Sequence, residues 1–133
     1  MASTTATPVA TPSTSVRVGL ALSALIGAAN LPALIPDIID WGEAPPPFGL
    51  LLVNAAIGLV SVVCAFLAWN TGNRLAIRIN AAALILNAIM VVPGFFIDTT
   101  PTVTLISAAF VVGTVVAVVL MMRREHTPVR VTD

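Results

Sequence analysis

Four long apolar runs alternate with short polar breaks along the chain, at about 16–36, 48–69, 75–97 and 103–122. Each holds about 20 residues or slightly more, and at ~1.5 Å rise per residue that length crosses a hydrocarbon core of ~30 Å. The pattern predicts an all-α integral membrane protein, an antiparallel four-helix transmembrane bundle over residues 16–122. Residues 1–15 are mostly Thr, Ser, Pro and Ala, with no charged side chain. They offer too little apolar surface to offset ordering entropy, so the pattern predicts a disordered tail there. A second, polar tail is expected over 123–133.

The breaks sharpen this reading. Pro32 and Pro36 remove backbone donors and loosen the end of the first run. Trp41 follows as an interfacial anchor, and Pro45-Pro46-Pro47 hold a stiff, extended segment through which no helix continues. The second run closes on Trp69, at the opposite interface. Asn70-Thr71-Gly72-Asn73 then form a tight turn, rich in residues that tolerate left-handed backbone. So short a link makes the second and third helices antiparallel neighbours, and the 98–102 link does the same for the third and fourth. Gly27-Ala28-Ala29 resembles a small-residue cleavage site. The run is nevertheless longer than a signal peptide's apolar segment, and Arg17 orients it as an anchor.

Charge gives the pattern a direction. All six cationic side chains are arginines and lie on one side of the four runs: Arg17, Arg74, Arg78, Arg123, Arg124 and Arg130. Four of the six acids, Asp37, Asp40, Glu43 and Asp98, lie in the other two connections. The arginine bias predicts a multi-pass protein of the plasma (inner) membrane with both termini in the cytoplasm. The net charge of zero conceals this dipole. With 58% hydrophobic and 9% charged residues, against about 25% charged in a soluble domain, no water-facing second domain fits. Absence of Lys beside abundant Ala, Val and Arg points to a G+C-rich, bacterial genome. The arginines are dispersed over separate segments, which argues against a nucleic-acid partner.

Sliding the third run onto the first aligns Arg17, Asn30 and Pro36 with Arg74, Asn87 and Pro93, and Ala24 with Ala81. The chain then reads as two repeated helical hairpins related by an axis along the membrane normal. Small residues trace two ridges at every fourth position, Gly19, Ser23 and Gly27 on the first helix and Ala109, Gly113 and Ala117 on the fourth. In lipid such ridges let backbones approach, and internal contact of helix one with helix four is the expected use. Asn30, Asn54, Asn87 and Ser107 form the expected intramembrane polar layer, roughly 9 Å inside the outer boundary for Asn30 and Asn54. Gly49-Leu50-Leu51-Leu52-Val53-Asn54, with Gly58 beyond, is similar to the second helix of the small four-helix fluoride channels. The resemblance spans those ten positions, 49–58. The following glycine is displaced by one, and the third run lacks that family's Thr/Phe/Ser helix break.

Counting removes several function classes. No Asp, Glu, His or Lys falls in the expected hydrocarbon core, so the carboxylate of a proton-coupled exporter is missing. His126, the only histidine, lies in the tail and cannot pair across helices on a haem. Cys64 stands alone, without the partner of a thiol oxidoreductase. The expectation is a non-catalytic protein without catalytic residues, metal or cofactor. It would be a small accessory, assembly or regulatory subunit whose partners are the lipid bilayer and another membrane protein or itself. The alternative is a small pore or carrier using the Asn-lined layer. Orientation is checked by labelling intact cells with an impermeant maleimide: Glu43→Cys reacts and Asn73→Cys does not, and the reverse result overturns the arginine argument.

Overall fold

The computed structural model describes residues 12–35, 37–41, 45–96 and 100–123. Within them the chain is helical, with no strand: α1 Thr14–Ala29, α2 Phe48–Thr71, α3 Arg74–Val91 and α4 Pro101–Met122. All four are long and apolar enough to cross a membrane, α1 when counted to Leu34, which is the mark of a multi-pass membrane protein. The expected tails up to residue 11 and from residue 124, with Arg124, Glu125, His126, Arg130 and Asp133, lie outside the described residues. So do Pro36, Glu43 and Asp98.

Local chemistry sets the helix ends. Ser13 caps α1, its Oγ accepting the Val16 N–H at 3.3 Å, so the helix starts two residues ahead of the apolar run. Pro32 has no N–H for the Ala28 carbonyl. Leu31 bonds that carbonyl instead, at 3.1 Å, and the chain tightens into a 3-10 turn, Pro32–Leu34. Pro93 has the same effect on α3, which passes into a second 3-10 turn, Val92–Phe96. Between α2 and α3 the turn is shorter than the polar run that marks it. Asn70 and Thr71 stay helical and bond back to the carbonyls of Phe66 and Leu67 at 3.1 and 2.6 Å. Gly72 alone turns left-handed, at φ 64°, and donates its N–H to Ala68 at 2.8 Å, a conformation that costs glycine nothing. Asn73 then caps α3 by accepting the Leu75 N–H at 2.8 Å.

Each helix packs on the next in chain order, and α1 also packs on α4, closing a ring that α1 and α3 touch across. Among the described glycines the tightest fit is between α1 and α2. A Cβ built on Gly27 falls 2.5 Å from the Gly58 carbonyl oxygen, and one on Gly58 meets the Gly27 carbonyl at the same distance. Neither position admits a side chain while the backbones keep this spacing. Gly19 faces α4, where a Cβ would stand 2.8 Å from Met121 Cγ and 3.0 Å from the Ala117 carbonyl oxygen. The first-helix ridge therefore divides its contacts. Gly19 meets α4, as internal contact with helix four requires, whereas Gly27 meets α2. On α4, Ala117 is fully buried, Gly113 is half-buried beside the Ile26 side chain, and Ala109 is exposed.

Away from these seams the surface is apolar, with Phe66 69% and Leu105 72% exposed, as lipid-facing side chains should be. At the arginine-bearing end, the Arg17 guanidinium sits over the Trp69 ring, 5.6 Å from its centroid, tying α1 to α2. Arg74 and Arg78 are exposed, free to extend their aliphatic stems toward headgroups. The α1–α2 crossing yields a stability prediction. Gly27→Ala and Gly58→Ala each lower the melting stability in detergent by about 1–3 kcal/mol through overpacking. Gly49→Ala, with nothing within 4 Å of its added Cβ, leaves it unchanged.

Candidate functional site

At the end of the molecule away from the arginines, the helix ends surround a partly open cavity of about 490 Å³. The end of α1 and its 3-10 turn contribute Ala29, Asn30 and Ala33; α2 contributes Leu50, Leu51 and Asn54. The end of α3 supplies Met90 and Val91, with Pro93 beyond, and α4 supplies Val103, Ile106, Ser107 and Phe110. Ile39, Trp41 and the Pro45-Pro46-Pro47 run complete the wall from the first loop. That loop is tied to α4 by the Thr100 hydroxyl, which donates to the Asp40 carbonyl at 3.2 Å while also accepting the Val103 N–H at 3.4 Å as the helix cap. Three residues of the expected polar layer, Asn30, Asn54 and Ser107, thus share one wall. The fourth, Asn87, does not reach it and is buried beneath.

The amides differ in how they are held. Asn30 Nδ2 donates to the Ile26 carbonyl at 3.0 Å, folding the side chain back on its own helix. Asn54 Oδ1 is buried without a partner, as is Asn87 Oδ1. A buried acceptor left unmade costs about 1–3 kcal/mol, so each marks a place where a donor would be welcome.

Below the cavity lies a set of buried side chains. Leu20, Ser23, Ser61, Asn80 and Leu84 are all 0–1% exposed, and none of them touches the cavity wall. Asn80 joins three helices here. Ser23 of α1 donates its hydroxyl to the Leu20 carbonyl at 2.8 Å, so its oxygen is left to accept, and Asn80 Nδ2 of α3 donates to it at 2.7 Å. The same nitrogen lies 3.5 Å from Met121 Sδ of α4. With both amide hydrogens directed this way, Asn80 Oδ1 has no partner, and Ser61 Oγ of α2 has none either.

Asn80, Ser61 and Thr114 are buried polar residues that the reading of the chain passed over. A signal for two of them was present. Asn80 and Asn87 are seven residues apart, as are Asn54 and Ser61, and two helical turns bring each pair to one face. Among the described residues, no three of His, Cys, Asp and Glu come together as a metal site. Compared with family models, curated proteins and solved structures, the chain matches none.

The Asn80–Ser23 contact spans two helices and is testable by a double-mutant cycle. Asn80→Leu and Ser23→Ala are each expected to destabilise the fold, with a coupling of ~0.6–2 kcal/mol, the range for interhelical bonds in membranes. Additive effects would mean the two side chains do not depend on each other.

Proposed function

We propose that this is a small, non-catalytic plasma-membrane protein, an antiparallel four-helix bundle with both termini in the cytoplasm. It acts as an accessory, assembly or regulatory subunit by binding other membrane helices. The observation that carries the reading is the set of buried side chains beneath the end cavity. A solute passing through would need a continuation of that cavity, and the residues beneath it, Leu20, Ser23, Ser61, Asn80 and Leu84, are buried against their neighbours at 0–1% exposure. The helices also leave an apolar surface of the right form. Leu105, Val112, Val116 and Val119 of α4 are exposed, and their spacing puts them along one stripe that a neighbouring helix can follow. The two-hairpin repeat is part of the proposal: α1 and α3 each pass into a proline-bearing 3-10 turn, although Pro32 of the first turn aligns with Ile89 and not with Pro93.

The pore or carrier is the second reading. It is favoured by Asn30, Asn54 and Ser107 sharing one wall, and by the unpaired oxygens of Asn87, Asn80 and Ser61 below them. Two measurements separate the readings. Under the accessory reading, the full chain in mild detergent carries a stoichiometric membrane partner that Val112→Trp with Val116→Trp releases, and the protein in liposomes passes no solute. Flux through the parent protein that Asn54→Leu abolishes, with the fold intact, reverses the ranking.

A further inference from the structure

We infer that the end cavity is a binding site for an uncharged, lipid-soluble molecule with an apolar body and a hydrogen-bond-donating head, in its simplest form an alcohol. The Asn54 amide oxygen receives the head. The inference is independent of whether other helices dock on α4.

Size, lining and charge all bear on the occupant. A volume of about 490 Å³ lies within the roughly 300–1,000 Å³ of small-molecule sites, whose walls are mainly apolar with a few placed polar groups. Here Leu50, Leu51, Met90, Ile106 and Phe110 make the apolar surface, and Asn54 joins them on the wall with its Oδ1 enclosed and without a partner. An acceptor without a donor selects a ligand that brings one. Among the described residues of the wall none is Asp, Glu, Lys, Arg or His, so this lining offers a charged head no counter-charge. An alcohol offers Asn54 its hydrogen and the apolar wall its body. With buried side chains beneath it, the site is a cup that holds a molecule.

The two tryptophans lie at opposite ends, Trp41 on the cavity wall and Trp69 beneath Arg17. Trp69→Phe therefore leaves a reporter of the cavity alone, in the full chain in liposomes. Heavy-atom quenching of Trp41 would be titrated with three probes of matched body: 4-bromobenzyl alcohol, its methyl ether and 4-bromobenzylamine. Saturable quenching is expected, with the alcohol about tenfold tighter than the ether, which corresponds to one well-made hydrogen bond. The charged amine should be weaker than the alcohol. Asn54→Leu should erase the alcohol's advantage, and Ile106→Phe, which fills space, should weaken the alcohol and the ether together. In Trp41→Phe, where Trp69 reports, quenching should follow membrane concentration without saturating. Equal binding of alcohol and ether would overturn the proposal, as would tightest binding by the amine or Trp41 quenching that never saturates.

Discussion

Helices that already lie in hydrocarbon gain almost nothing by hiding apolar side chains from one another, so what holds them is closeness. Dispersion between facing atoms falls away within an ångström of optimal contact, and backbones come close only where side chains are small. The Gly27–Gly58 approach meets that condition directly, each glycine standing against the other's carbonyl. Spacing set there propagates. With α2 held on one flank at Gly27 and α4 on the other at Gly19, α1 reaches all three remaining helices, and Ser23 between the two glycines comes within reach of Asn80. One turn beyond the crossing, at Asn30 and Asn54, the cavity begins.

The same side-chain type therefore does opposite things at two depths. Asn80 directs both amide hydrogens toward partners on α1 and α4 and is wholly enclosed, which makes it a fastener. Asn54 has an oxygen buried without a donor and belongs to the wall of an open space. Polar groups in hydrocarbon are costly when unmatched.

Run length and proline position made the four helices legible, since crossing length and loss of a backbone donor follow from single residues. The partners of the small-residue ridge were not. A step of four residues turns a helical position by ~400°, leaving ~40° of drift. Gly19 and Gly27, two steps apart, therefore face directions ~80° apart and serve different neighbours. A ridge that reads as one stripe in the chain is divided in space. Asn80 was hidden for another reason: it follows Arg74 and Arg78 in the polar opening of α3, where an amide looks like part of the interface. The cavity depends on where four helix ends and a loop stop, which no local pattern encodes. Asn30, Asn54 and Ser107 could be placed at one depth from the chain, but the enclosed space between them could not.

The wall of that cavity is assembled from every helix, and α4, which follows the others in synthesis, carries Val103, Ile106, Ser107 and Phe110. It also brings Thr100, the residue that ties the first loop down. Before α4 enters the membrane the first three helices can already meet at Gly27 and Gly58, yet without α4 they bound only an open trough. The cup is thus a late product of biogenesis, and its closure distinguishes a finished molecule from one still being made.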